Sequence, residues 1–407
     1  MKLRHWLTLS PVFLKCLGKL SLRHLAYLGW QFRYENPQRH HGQIHINSFF
    51  PPYPSPAFDR FLEAAIQRWR VPYSVYYAVT DRCPYQCPHC SYGRHVSGQL
   101  DTRQALAVVE QVRRLGTVTM GFTGGEPLLR DDLSDLVAAT GEMATVVFTT
   151  GLNLTDARAR SLRNAGLDCI TIGLESDRAE EHDAVRGAEG SYQTAIDAIG
   201  AARAAGLFTA ISTMATPEKL RNGTLDRLTE LASQWGVQEF RILEPVPTGR
   251  CAAEKNAVLT AAESAELTRL HKTWNHRGRA PAIASFSHLE SDALFGCGAG
   301  YHHLFIDAVG NACPCDLTPL AFGNVCEEPL YDIWVRMGDW FALPRCGCLV
   351  RELHETTNVL QTAAAFPLCR PDSEALCRQH VKKTPLPAVF ANLFRDRKPT
   401  NPPANRP

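Results

Sequence analysis

From residue 73 to residue 243 the chain repeats one pattern: a short apolar run, a turn, then a stretch whose apolar side chains recur every three or four positions. The runs are 73–79, 117–122, 144–149, 168–175, 207–214 and 238–243. Between them, 102–115 reads as a helix capped by Asp101, with Ala105, Val108, Val109, Val112 and Leu115 on one face. Helices are likewise expected over 131–140, 155–165 (closed by Gly166), 191–205 and 224–235. Such alternation is the signature of βα units around a parallel sheet. Ligands of these sheets gather at the carboxyl ends of the strands, so the residues that end each run are the ones to read for chemistry.

The first run opens into Cys83-Pro-Tyr-Gln-Cys87-Pro-His-Cys90. Pro84 and Pro88 keep the segment from closing into a regular helix, which lets it wrap around a ligand. Thiolates are the preferred ligands of iron-sulfur clusters, and a cubane normally takes four of them. Three in reach leave one iron open for a cofactor or substrate. Cys87 and Cys90 also have zinc spacing, which keeps a second reading alive: a zinc-stabilised, Cys-rich binding protein without catalysis. The second run ends in Gly124-Gly125-Glu126-Pro127. Its glycines remove side chains where a ligand approaches the backbone, and Glu126 can accept hydrogen bonds from an ammonium group. The third run ends at Thr149-Thr150-Gly151 and the fourth at Gly173-Leu174-Glu175.

Taken together, the cysteine triplet after an apolar strand and the Gly-Gly-Glu-Pro turn resemble the radical S-adenosylmethionine (radical SAM) superfamily. The resemblance implies an α/β fold, a partial (β/α)6 TIM-like barrel. It implies a 4Fe-4S cluster on Cys83, Cys87 and Cys90 whose open iron chelates SAM, and reductive cleavage of SAM to a 5'-deoxyadenosyl radical that abstracts hydrogen from a substrate. Gly124, Gly125 and Glu126 would meet the methionyl amine, and Thr150 stands in the family's Thr-Asn-Gly-like turn. The family's carboxylate-holding serine is replaced here by Gly173, so that role passes to Arg186. That residue lies in His182-Asp183-Ala184-Val185-Arg186-Gly187, which matches the family's His-Asp-x-x-Arg-Gly run. A planar, forked guanidinium suits a carboxylate, although a surface salt bridge would explain Arg186 as well. Glu175 would hold the ribose hydroxyls or face substrate. His89 occupies a position that is usually aromatic. No residue is assigned as a catalytic acid, base or nucleophile.

Eight of the fourteen cysteines fall in the last third: Cys297, Cys313, Cys315, Cys326, Cys346, Cys348, Cys369 and Cys377. They cluster with Gly and Pro, unlike cysteines that merely fill a core. The order Cys297, Gly310, Cys315, then Phe322-Gly323-Asn324-Val325 and Leu330-Tyr331-Asp332-Ile333-Trp334, resembles the SPASM or twitch extension. This implies a small Cys-rich α+β extension with one or two auxiliary 4Fe-4S clusters, drawing on Cys297, Cys315, Cys346, Cys348 and Cys369. Cys313 and Cys326 read as spares, and Cys16, Cys169 and Cys251 as structural.

The 407 residues, 45% hydrophobic, can bury a large core, and a net charge of +2 gives no bulk electrostatic case for nucleic acid. So many cysteines without a signal peptide read as metal ligands in a reducing compartment, the cytoplasm. Residues 1–34 hold Lys2, Arg4, Lys15, Lys19, Arg23 and Arg33 and no acidic residue. Two short amphipathic helices broken near Ser10-Pro11 are expected there, forming either an interfacial anchor at the inner face of the membrane or a pair packed on the catalytic domain. The stiff connector 47–57, with Phe49, Phe50 and Tyr53 among prolines, would cover the barrel floor or the substrate cavity. The expected organisation is thus arm and connector 1–72, barrel 73–250, helical linker 251–296, cluster domain 297–377 and a partly disordered tail 378–407. Expected partners are SAM, a peptide or lipid-like substrate, and an electron donor such as flavodoxin or ferredoxin.

Overall fold

The computed structural model describes residues 3–253, 258–395 and 399–401. A small antiparallel hairpin, β1 (Gln38–His40) and β2 (Gln43–His45), stands beside one nine-stranded sheet. The strands of that sheet are β3 (Ser74–Thr80), β4 (Thr119–Gly124), β5 (Ala144–Thr149), β6 (Cys169–Gly173), β7 (Phe208–Met214), β8 (Glu239–Leu243), β9 (Ala282–Ser285), β10 (His303–Ile306) and β11 (Ala312–Cys313). They lie in the order β11-β10-β3-β4-β5-β6-β7-β8-β9, all parallel except the β10–β11 pair. No pairing joins β11 to β9, so the barrel is partial.

The six expected runs are β3 to β8, each within two residues of its expected bounds. Three strands of this sheet lie beyond the expected six. β9 lies inside the stretch read as a helical linker, after the helix Ala261–Arg277. β10 and β11 come from the cysteine-rich extension, and β10 inserts parallel beside β3, where Tyr73 and Ser74 both donate backbone N–H to His302 O. The extension is therefore built onto the sheet. The reason it was missed is local: His303–Ile306 is four residues long and has no helix of its own beside it, so neither periodicity nor length marks it as a sheet strand.

The sheet's two faces differ in chemistry. Val75, Tyr77 and Val79 of β3 point outward and bury against Val108, Val109 and Val112 of the helix Thr102–Arg114. Each fully buried aliphatic side chain there contributes on the order of 1.5–3 kcal/mol. Asp101 and Gln104 cap that helix reciprocally, Oδ1 of Asp101 accepting from Gln104 N (2.8 Å) and Oε1 of Gln104 from Asp101 N (3.1 Å). The inner face carries Ser74, Tyr76, Gly121, Phe148, Ser212, Glu239 and Arg241. A β-carbon at Gly121 would come within 2.5 Å of the Tyr76 ring, so this gap is what lets Tyr76 lie across the barrel interior.

The arm comprises α1 (Leu3–Cys16), α2 (Leu22–Gln31) and, after the connector, α3 (Pro56–Gln67). The expected break at Ser10-Pro11 does not occur: α1 runs through Pro11. Proline lacks the N–H that would bond Leu7 O, and the Ser10 hydroxyl supplies that bond instead, at 2.9 Å. The chain turns later, between Cys16 and Leu22, where Gly18 adopts φ +76°. Phe49 and Phe50 of the connector meet Phe295 with ring centroids 5.3 and 5.8 Å apart, closing the amino-terminal end of the barrel. Both also line the cavity inside it, so the two roles weighed for the connector coincide. In the tail, Ala388–Leu393 is helical and Thr400 exchanges backbone hydrogen bonds with Arg68 and Arg70. Of the tail expected to be partly disordered, 378–407, residues 396–398 and 402–407 lie outside the described residues.

Candidate active site

The cysteine loop leaves β3 at Thr80 and is tied down on three sides. Gly125 N donates to Thr80 O and Glu126 N to Arg82 O, both at 2.8 Å; Gln86 N donates to Arg186 O, and Arg250 N to Cys90 O. The two glycines have a backbone reason to be there. A β-carbon at Gly124 would sit 2.3 Å from Thr80 O, and one at Gly125 would sit 2.2 Å from Arg82 O. The backbone they admit is that of the cysteine loop itself, and Gly125 also lines the cleft beside it. Cys83 is exposed, Cys87 buried and Cys90 between the two. Burial pushes the Cys90 thiol up, and the charge of Cys87 adds to this. The three sulfurs thus repel one another as thiolates, with Arg186 donating to Cys87 Sγ at 3.3 Å. Closely spaced thiols with one guanidinium and no fourth cysteine in the loop fit a three-ligand cluster site.

Glu126 is fully buried and saturated. Its Oε1 accepts from Thr149 Oγ1 (2.6 Å) and Leu128 N (3.0 Å), and its Oε2 from Thr150 N (2.7 Å) and the Thr150 hydroxyl. Burial raises its pKa against the pull of those donors. The carboxylate locks the end of β4 to the end of β5. Thr150 likewise spends its hydroxyl on Glu126 while lining the adjoining cleft.

That cleft, about 180 Å³, opens at the carboxyl ends of β4 to β8 and is lined by His89, Gly125, Thr150, Gly173, Glu175 and Arg186, among others. Glu175 is its electrostatic centre. Lys219 Nζ lies 2.8 Å from Oε2, with His89 Nε2 at 3.3 Å and Arg186 at 3.4 Å from Oε1. Burial alone would raise its pKa, but Lys219, His89 and Arg186 hold it well below the usual carboxylate range. Arg186 is 6% exposed, so it is not a surface ion pair. A β-carbon at Gly173 would stand 2.3 Å from its Nη2: the side chain missing at 173 is the space the guanidinium uses. Asp183 serves structure, accepting from Gly190 N, Ser191 Oγ and Tyr192 N at the start of the next helix.

A far larger cavity, about 990 Å³, fills the barrel interior. Cys297, Cys315 and Cys348 line its wall together with Glu290, Asp316 and His303. Burial pushes all three thiols up, Cys348 to about 12, and the charge of Cys297 acts on both of the others. Asp316 Oδ1 accepts from Cys315 Sγ (3.4 Å) and meets His303 Nε2 (3.1 Å). Glu290 faces the cavity, and its pKa is pushed up to about 8 by burial and by the charges of Asp316 and Glu244. Three thiols with oxygen and imidazole donors beside them fit a second cluster site. Cys346 and Cys369 do not themselves line this cavity: Cys346 neighbours Asp292, which does, and Cys369 is exposed, its thiol donating to Asp372 at 3.0 Å.

Sequence reasoning missed Lys219, the ion pair Glu239–Arg241 inside the barrel (2.8 Å), and Glu290, Asp316 and His303. Lys219 carried one readable signal, its position just past the carboxyl end of β7. The others belong to no motif and meet only through the fold.

Residues 77–222 match the model of the radical SAM superfamily, and residues 297–341 match that of the SPASM iron-sulfur cluster-binding domain. These hits match a radical SAM enzyme with a carboxyl-terminal SPASM auxiliary-cluster domain. These two domains imply 4Fe-4S clusters and SAM as cofactors. The AdoMet-dependent heme synthase of Nitratidesulfovibrio vulgaris is 28% identical over 287 residues, 64% of this chain and 78% of that protein. The PqqA peptide cyclase of Granulibacter bethesdensis is 28% identical over 298 residues, 68% of this chain and 79% of the cyclase. In fold the chain resembles Streptococcus suis SuiB bound to its precursor peptide SuiA (TM-score 0.54, 15% identity, 68% of this chain and 67% of SuiB). It also resembles anSMEcpe with bound AdoMet (TM-score 0.55, 15% identity, 79% of this chain and 98% of the other). No helix among the described residues is long and apolar enough to cross a membrane.

Proposed function

We propose that Cys83, Cys87 and Cys90 hold the 4Fe-4S cluster at which SAM binds, and that the neighbouring cleft takes the rest of SAM. When bound, cluster and SAM supply reductive cleavage to a 5'-deoxyadenosyl radical that removes hydrogen from a substrate, the electron coming from a donor such as flavodoxin or ferredoxin. The observation that carries this is Arg186, which joins a triplet thiol, Cys87 Sγ, to the cleft carboxylate Glu175. Its charge steadies the thiolate and offers a fork to the SAM carboxylate. Glu175, kept ionised by Lys219, His89 and Arg186, is an acceptor for ribose hydroxyls. The substrate occupies the barrel cavity between this cleft and Cys297, Cys315 and Cys348, which hold an auxiliary cluster. The test is anaerobic reconstitution followed by dithionite: 5'-deoxyadenosine should form, and should be absent from Cys87→Ala.

A second reading concerns the arm. Trp6, Leu7, Leu14, Leu17, Leu22 and Trp30 are six of the eight exposed large apolar side chains among the described residues, and all lie on α1, α2 or the turn between them. With six basic residues and no acid before Glu35, such a surface favours peripheral contact with an anionic bilayer. Flotation with phosphatidylglycerol vesicles tests it: the protein should float with them and stay behind with purely zwitterionic ones.

A further inference from the structure

The barrel cavity is continuous along the strands. It is walled by Phe208 at the start of β7 and by Met214 at its end, about 20 Å apart at strand rise. Its walls differ. Where the arm and connector cover it the wall is mainly apolar, with Leu9, Val12, Phe13, Leu28, Phe49 and Phe50, while the sheet opposite adds Asp168 and the Glu239–Arg241 ion pair, to which Ser48 donates. Beside the auxiliary thiols, where His303 meets Ser74 at the start of β3, it is polar, with Glu244, Ser287, Glu290 and Asp316. Glu244 is engaged by Ser264, Ser287 and Arg351, whereas the Glu290 carboxylate accepts no hydrogen bond from the described residues.

We infer that this cavity binds an amphiphile: a single long apolar chain lying between the arm and the sheet, with a hydroxyl- or amine-bearing head beside Glu290 at the auxiliary thiols. The inference rests on the reading above that the cavity is the substrate site, and it names the class of substrate. A peptide backbone needs a donor or acceptor for every amide it brings in, and the arm end of the cavity offers a mainly apolar wall. An alkyl chain needs none, and gains with each methylene it moves out of water. The arm is apolar on both sides, one facing the cavity and one facing outward through Leu14, Leu22 and Trp30. A helix pair of that kind can hand a chain from a lipid surface to the interior, and its basic residues suit an anionic surface.

The experiment is calorimetric titration of the reconstituted full-length protein with 1-monoacylglycerols of about 6 to about 12 carbons, below their micelle concentrations, without SAM or reductant. Affinity should rise roughly fourfold per added methylene until the cavity is full, then level off. Val12→Trp should bring the plateau to shorter chains while leaving the shortest member within about twofold, since only the far end of the cavity is filled. If that variant fails to fold, the chain-length series of the unaltered protein decides alone. Affinity independent of chain length, an equal loss for every length in Val12→Trp, or saturable uptake of a hydrophilic peptide that monoacylglycerol cannot displace would each overturn the inference. Because binding is read without SAM, absence of 5'-deoxyadenosine would count against the radical reading and not against this one.

Discussion

The two ends of the barrel are built from the same strands and differ in almost everything else. At the carboxyl ends, ionisable side chains are buried and held in place: Glu126 by four donors, Glu175 by Lys219, Arg186 and His89, Cys87 by Arg186. At the amino-terminal ends, aromatic and aliphatic groups from the arm and connector close the barrel over the buried ion pair Glu239–Arg241. Burying a charge is costly unless every partner is in place, so the first end must be rigid and specific. Apolar contact is non-directional, so the second can accept ligands by size and hydrophobicity alone. The comparison assigns chemistry to one end and substrate holding to the other.

The largest expected effect is at the charged end. Arg186→Met should leave Cys87 and Glu175 without their shared cation and reduce 5'-deoxyadenosine formation by a hundredfold or more, on the order of 3 kcal/mol for a buried charge pair broken from one side. Glu126→Gln comes next. Its amide nitrogen cannot accept from Thr150 N, so unfolding stability should fall by about 2–3 kcal/mol, read as an earlier urea midpoint. For Glu175 the sign follows from its depressed folded pKa: the stabilisation is full above the ordinary glutamate value of about 4.3 and is lost as pH falls through the lower folded value. Lys219→Met removes the leading cation and should move acid unfolding to higher pH. Among the second set of thiols, Cys297→Ser, Cys315→Ser and Cys348→Ser should each lower bound iron, whereas Cys346→Ser and Cys369→Ser should not. Smallest is the arm: Leu14→Ser with Leu22→Ser should weaken vesicle binding about tenfold and leave 5'-deoxyadenosine formation unchanged, which would separate the two ends cleanly.

The carboxyl ends were legible because their chemistry is written in short motifs. The thiol triplet, Gly124–Pro127 and the run ending at Arg186 each lie within a few residues, and a parallel sheet must bring strand ends together. What the motifs did not disclose is which partner each residue meets. Glu126 turned inward to Thr149 and Thr150 because β5 ends beside it, a register fact invisible in the tetrapeptide. Gly173 was readable as a missing serine, but only the packed structure shows Arg186 filling the vacated space. The strand β10 and the cavity behind it were illegible for another reason. Glu290, His303, Asp316 and Arg241 come from four separate segments and share no spacing, and the apolar floor is assembled from an arm whose pattern suited a surface helix equally well.

The direct test of the central claim is to measure 5'-deoxyadenosine from SAM under dithionite, anaerobically, in three proteins side by side: the unaltered chain, Cys87→Ala, and the Leu14→Ser, Leu22→Ser double variant. The division of labour between the barrel's ends predicts equal product from the first and third and none from the second. Product from Cys87→Ala, or an unaltered protein that holds zinc and no iron, would contradict it.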